Sequence, residues 1–268
     1  MGNVLEVVSA FATAPGAGPT ALTAATGDTL AVRNFDPATP AYLLNQWGNQ
    51  ATAGFVQVRS PRFHDNTRGI RTRVLAATVS AELPMQFAQH LYPQDAPVFE
   101  CGGGGAGETD SYGFLVYYQD APGMAARLAS WDQVKARIAN LLTIELPMPA
   151  PAAVGQLSAG LALNGAGSGD LTKANTDYAV LGYLTDTACT AIGIRGPDTG
   201  NVRIGGPGSI TAFDTRNWFI RLSNEFGVPC IPILNSANKG ATIVSQANAA
   251  AAGTPNVDLI VAELRPGA

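Results

Sequence analysis

Cys101 heads the segment ECGGGGAGET (Glu100 to Thr109), and a cysteine followed by four glycines can serve chemistry in two ways. A tight turn can present a thiolate as a nucleophile, provided a base lies in hydrogen-bond reach and a third group orients it. His64 and His90 are the available bases, with Asp95 or Asp110 to orient them. Alternatively, the bared N–H groups of Gly102 to Gly105 can cradle an anion. No spacing forces the cysteine, a histidine and an acid together, and the local signatures of cysteine proteases are absent. The segment therefore reads as a connector in which glycine supplies left-handed backbone conformations.

Other chemistries find less to work with. The two histidines and three cysteines (Cys101, Cys189 and Cys230) are too scattered for a zinc site or a disulfide framework. His64 and Asp65 in FHDN read as a solvated turn. The segment GPDTGNVRIGGPGS (Gly196 to Ser209) is glycine-rich but lacks the terminal Gly-Lys-Ser/Thr of a phosphate-binding loop. No pair stands out among the 20 acidic residues. The expectation is a protein without catalytic residues, metal or cofactor, and not an enzyme. One cluster remains. Arg59, Arg62, Arg68, Arg71 and Arg73 crowd into a chain with 16 basic residues in all. With Arg195 and Arg203 further on, they are read as inter-subunit or inter-domain contacts, since arginine's planar fork suits carboxylates and carbonyls. A small patch facing a genome or membrane is the sharper alternative.

These residues must be positioned by short strands. Most of the chain alternates apolar and polar residues over short runs, with 30 glycines and 18 prolines as punctuation. VLEVVSAFA, ALTAATGDTLAVRNF, AGFVQVRSP and GIRTRVLAATVSAEL read as β structure in the first half. LTIELPMP, GQLSAGLALNG, CTAIGIRGP, PCIPILN and VDLIVAEL do so in the second. Two segments read as helices. Ser130 to Leu142 opens with a Ser130/Gln133 capping box and carries Trp131, Val134, Ile138, Leu141 and Leu142 on one stripe. Asp214 to Gly227 has Asp214 as N-cap, Gly227 as stop, and Trp218, Leu222 and Phe226 on its buried face.

The halves resemble each other. At a fixed offset Tyr42 falls on Tyr178, Trp47 on Tyr183, Val56 on Ile192, Val58 on Ile194, Arg59 on Arg195, Pro61 on Pro197 and Gly69 on Gly205. The shared V-x-V-R-x-P and I-x-I-R-x-P cores are strands stopped by an arginine and a proline turn. FAQHLYPQDAPVF (Phe87 to Phe99) lies beside FIRLSNEFGVPCI (Phe219 to Ile231), which sets the glycine run against NSANKGAT (Asn235 to Thr242). An internal duplication follows: a first jelly-roll or β-sandwich domain over 1–128, a connecting helix over 129–142 and a second domain over 143–268, each with a short helix late in the copy.

Composition points to assembly. The chain is 46% hydrophobic and 13% charged, against about 25% charged in an ordinary soluble domain. A surface so short of charge is expected to carry uncharged, partly apolar area that partners cover. The net charge of −4 argues against a dedicated nucleic-acid site. No apolar run is long enough for a transmembrane segment.

Tandem antiparallel barrels, with the paired strand motifs at Arg59 and Arg195 and the paired helix-to-strand units ending at Pro97 and Pro229, resemble the double jelly-roll major capsid proteins of tailless icosahedral viruses. The resemblance spans nearly the whole chain and rests on architecture. It implies a structural shell protein that forms homo-oligomers, trimers with a pseudo-sixfold outline, beside other virion proteins. Its place would be the virion, assembled in the host cytoplasm. A different expectation is a carbohydrate- or receptor-binding β-sandwich protein of a phage or cell surface, with Trp47, Tyr92, Tyr112, Tyr117 and Tyr118 as sugar platforms.

Overall fold

Alternation in GFVQVR and AIGIR produces strands with one face inward, and these two strands anchor equivalent sheets in the two halves. A computed structural model describes the chain apart from residues 1, 14, 37, 78, 82–87, 93–94, 125, 165–170, 172, 186–188, 209–214, 249–250 and 267–268. The protein is mainly β, with four antiparallel sheets. The first half holds β1 (Gly2–Thr13), β2 (Thr20–Ala21), β3 (Thr23–Ala24), β4 (Ala41–Asn49), β5 (Gly54–Arg59), β6 (Ile70–Val74), β7 (Ser80–Ala81), β8 (Gln89–Leu91), β9 (Val98–Gly102) and β10 (Thr109–Ala121). The second holds β11 (Leu128–Ala129), α1 (Trp131–Lys135), β12 (Ile138–Pro147), β13 (Leu161–Ala162), β14 (Asp177–Thr185), β15 (Ala191–Arg195), β16 (Ile204–Pro207), α2 (Trp218–Phe226), β17 (Ile231–Asn235), β18 (Ile243–Ala247) and β19 (Asn256–Leu264).

The two halves share one strand order. In the first, one sheet runs β1-β10-β4-β8, with β3 and β7 added, and the other runs β2-β9-β5-β6. In the second, β12-β19-β14-β17, with β11 added, stands opposite β13-β18-β15-β16. Matching position by position makes β1 equivalent to β12, β5 to β15, β6 to β16 and β10 to β19.

This correspondence corrects the sequence alignment in one region. β8 is the counterpart of β17, and β9 of β18, so pairing Pro97 with Pro229 is one strand out of step. The glycine connector after β9 therefore matches the 248–255 link, not Asn235 to Thr242. The helix expected late in the first half is not found in the described part of that segment, where Gln89–Leu91 pairs with Leu43, Tyr42 and Ala41. Trp47 and Tyr183 sit on equivalent strands but point to different places. Tyr183 donates its hydroxyl to Pro207 O inside its own half, whereas Trp47 donates across to Thr190 O of the other half. A one-residue change of register reverses a strand's faces.

The helix readings also divide. The capping box forms as read, with Gln133 N–H donating to Ser130 Oγ and Ser130 N–H to Gln133 Oε1. Yet α1 stops at Lys135, and Ile138 to Leu142 belong to β12, which pairs with β19 from Leu264 to Asn256. A long ladder with a strand over a hundred residues away outweighs local periodicity. α1 thus packs within the second half, where Trp131 N–H donates to Ser223 Oγ at 3.0 Å, instead of linking two domains. α2 ends at Gly227, whose φ of 66° needs glycine or pays in strain; Asp214 lies outside the described residues.

β1, β4 and β10 are buried almost throughout, and the reason is that their sheet has cover on both faces. Val4, Val8, Leu43, Phe114 and Tyr118 turn inward against Val56, Val58, Phe99 and Cys101. The opposite face, with Leu5, Val7, Trp47, Leu115 and Tyr117, joins the core of the second half. Trp47 is fully buried and donates Nε1–H to Thr190 O at 2.7 Å. Its ring lies on Gly113, where a Cβ would come within 2.3 Å. The edge of β1 away from β10 is closed by Arg203: Val7 N–H donates to Arg203 O at 2.8 Å, and Arg203 Nη2 donates to Val7 O at 3.1 Å. The Arg203 side chain crosses Gly193 to reach Asp28, which also accepts from Ser9 N–H at 2.6 Å. Both side chains of that ion pair are about nine-tenths buried. Burial pushes the Asp28 carboxyl above its ordinary range, and Arg203 opposes that shift.

Removing one partner of a buried pair strands the other charge, at a cost of about 3–5 kcal/mol, while removing both is far milder. Asp28→Asn is therefore expected to lower stability by about that amount in urea unfolding, and Asp28→Asn with Arg203→Met to recover only part of the loss, because Val7 O then loses its donor. Equal destabilisation in single and double variants would show that the pair is not coupled.

Candidate functional site

The alternation that buries Val56 and Val58 turns Phe55, Gln57 and Arg59 to the opposite face of the β2-β9-β5-β6 sheet. The ladder sets Arg73 beside Phe55, and Arg71 and Glu100 on either side of Gln57. A chain of polar contacts results. Arg59 grips Glu100 through Nε and Nη2, both at 2.8 Å. Gln57 Nε2 donates to Glu100 Oε2 at 2.7 Å, and Arg71 Nε donates to Gln57 Oε1 at 2.9 Å. The Arg71 guanidinium also lies 3.9 Å above the Phe55 ring. Arg59 and then Gln57 hold the Glu100 carboxyl below the usual carboxylate range, against its burial. Burial, followed by repulsion from Arg68 and Arg73, pushes Arg71 down.

At the end of this face an open cleft of about 450 Å³ is lined by Pro19, Arg59, Asn66, Thr67 and Glu100. Asp65 builds its rim by accepting from the N–H groups of Thr67 (2.9 Å) and Arg68 (3.0 Å). Arg62 is exposed, with its guanidinium 5.5 Å from the Tyr92 ring centre. Among the described residues, no ion pair engages Arg62, Arg68, Arg71 or Arg73. The surface can hold carboxylate or phosphate oxygens. Glu100 is committed to Arg59.

The other expected contact residues lie elsewhere. Arg195 ends β15 beside Ile243 and is exposed. Arg203 is the arginine of the seven that joins the two halves. Glu100 and Gln57 went unnoticed in the sequence, although period two from Val56 and Val58 already put Gln57 on Arg59's face.

The catalytic set does not assemble. Cys101 is fully buried in the core of the first half, where burial pushes its thiol up to about 11 despite a hydrogen bond with Tyr112. His90 is half-buried between the rings of Tyr42 (5.4 Å) and Tyr92 (4.4 Å), and His64 is exposed. Asp95 takes a hydrogen bond from Ser60 Oγ. Cys189 and Cys230 are likewise buried, with burial pushing Cys189 up to about 12 and Cys230 further. Among the described residues no group of three or more His, Cys, Asp or Glu could hold a metal. The glycine run packs tightly: a Cβ on Gly102 would strike the Phe55 ring, one on Gly104 would strike Pro15, and Gly103 has φ of 87°.

Two surface expectations are corrected. Of the proposed sugar platforms, Trp47, Tyr112, Tyr117 and Tyr118 are buried, leaving Tyr92 partly exposed. The low charge also does not produce broad apolar patches. Among the described residues the exposed large hydrophobics are Leu75, Leu141 and Ile243. Small and uncharged polar residues occupy most of the remaining surface.

No family model matches the chain, and no curated protein matches it in sequence. Among solved structures, the chain is similar at a TM-score of 0.26 and 11% identity to the PBSX exported protein XepA, over 97% of this chain and 86% of that one. No helix among the described residues is long and apolar enough to cross a membrane.

Asp110 offers a pH test of this region. It is buried, receives Ala51 N–H at a long 3.4 Å, and burial pushes its carboxyl from 3.8 to about 6. A raised folded value favours the protonated form, so its contribution to stability is present below about pH 4 and lost as pH rises through 6. Wild-type stability is expected to fall across that window relative to Asp110→Asn, in urea titrations at each pH. Parallel profiles for the two proteins would refute it. For Cys101, no labelling by a thiol reagent is expected at pH 7.5 before unfolding.

Proposed function

We propose that the chain is a structural subunit of a protein shell, a viral or phage major capsid protein built from two tandem jelly rolls. The observation that carries this reading is the repeated strand order. Counting eight principal strands in each half, the first lies next to the eighth, the second to the seventh, the third to the sixth and the fourth to the fifth. That is the order of one long antiparallel hairpin rolled into two facing sheets, the arrangement used by viral capsid domains among others. Because the jelly roll also serves lectins and cupins, the fold alone does not choose between them.

What favours the shell is the way the rolls are joined. A sheet buried on both faces and a closed strand edge make the pair a rigid block, and rigidity is what a tile requires. The polar constellation on the first roll is built to hold charged groups and not to transform them. Three such blocks around an axis would present six rolls, and cyclic contacts would multiply modest interfaces into a closed particle.

Purified protein imaged by negative-stain electron microscopy, with mass measured by light scattering, tests the reading. The expected result is trimeric rings or closed particles. A homogeneous monomer at high concentration would overturn it.

A further inference from the structure

The net charge of −4 is an average over the chain, and it hides one basic surface. The β5–β6 hairpin gathers Arg59, Arg62, Arg68, Arg71 and Arg73. On its strands Gln57, Arg59, Arg71 and Arg73 point away from the core that holds Val56, Val58 and Val74. Arg62 and Arg68 stand in the turn between the strands. The carboxylates nearby are each engaged: Glu100 by Arg59 and Gln57, Asp65 by the N–H groups of Thr67 and Arg68, and Asp95 by Ser60 Oγ. Arg62, Arg68 and Arg73 are exposed. Arg71 lies on Phe55 and donates to Gln57, and after burial it is repulsion from Arg68 and Arg73 that pushes it down. These three guanidinium groups therefore converge, and an anion set among them relieves their repulsion.

The layout suits a repeating anion. Arg71 and Arg73 are two residues apart on one face of a strand, about 7 Å along it, and Arg68 continues the row at the turn. A row of cations can follow a phosphate backbone, whereas a lone carboxylate engages one of them. Asn66 and Thr67, exposed on the rim of the cleft that ends this face, can donate to phosphate and sugar oxygens. Rings stand beside the charges. Arg62 lies 5.5 Å from the centre of the partly exposed Tyr92 ring, and His64 is exposed in the same turn. Unstacked bases pack on aromatic rings and guanidinium planes. Bases inside a duplex cannot, which favours a single strand.

We propose that the outer face of the β5–β6 hairpin binds single-stranded nucleic acid, with Arg68, Arg71 and Arg73 on successive phosphates and Arg62 beside Tyr92 against a base. The inference goes beyond the shell reading and does not depend on it. Binding of this kind is independent of base sequence, because guanidinium groups on phosphates and rings on bases accept any nucleotide. It is also weak at high salt, because the strand's counterions are released on binding.

Fluorescence anisotropy of a labelled oligothymidine, titrated with the full chain over a range of salt concentrations, tests the proposal. Three phosphate contacts at about 0.7 each give an expected log–log salt slope of about −2. The double variant Arg68→Gln with Arg73→Gln changes two exposed side chains, so it is expected to fold as the wild type does. It should bind at least tenfold more weakly, with the slope reduced to about −0.7. Arg195→Gln, an exposed arginine of the other half, should bind as the wild type does. No binding at low salt would overturn the proposal, as would an unchanged affinity in the double variant or an equal loss in Arg195→Gln. Equal binding of polyglutamate would mean an acidic protein partner, and binding of phosphatidylserine vesicles in place of the oligonucleotide would mean a membrane; either would overturn it too. Trimers or shell subunits that bind no oligonucleotide would remove this inference and leave the shell reading standing. A monomer that binds would do the reverse.

Discussion

Val7 has its edge hydrogen bonds closed by Arg203, 196 residues away, and the architecture depends on that closure. An open edge on a long apolar strand is a liability in water, because its N–H and C=O groups invite another chain. Here a backbone carbonyl and a guanidinium from the second half occupy it, and Asp28 neutralises the guanidinium in turn. With Trp47 capped by Thr190 O two strands away in the same sheet, the first half cannot shed the second without exposing a sheet face as apolar as its own interior. The two halves are held as one body.

Such a joint constrains the sequence around it. Arg203 can stretch out only because Gly193 beneath it has no side chain, and Trp47 can lie flat only because Gly113 has none. Much of the chain's charge is likewise spent in specific pairs, such as Arg127 with Asp177 and Asp198, Arg33 with Glu6, and Arg59 with Glu100. What stays outside is weakly charged and weakly apolar, apart from the arginine face of the first half. A surface of that kind discriminates through a few residues and not through broad hydrophobicity.

Sequence reading reached the strands whose alternation is local. β5 and β15 were legible from V-x-V-R and I-x-I-R, and the expectation of a shared strand order in the two halves came from them. The failures have a common cause in long-range pairing. β8 is three residues long and is a strand only because β4 lies beside it. Ile138 to Leu142 have helical spacing, but β19 recruits them. Missing β8 pushed the alignment of the halves out by one strand and matched the wrong loops. Trp47, matched with Tyr183 in the sequence, was not legible as a residue that faces the other half, because its register differs from Tyr183's. On the candidate site, the arginines were visible as a run, whereas Glu100, which organises them, was hidden inside a segment that looked like a catalytic loop.

Unfolding calorimetry addresses the central claim that the two halves form a single cooperative unit. The account gives one endotherm, with a calorimetric enthalpy equal to the van't Hoff enthalpy for the whole chain. Two resolvable transitions, each the size of half the chain, would contradict it, because the joint at Val7, Trp47 and Arg203 would then be too weak to hold the halves together.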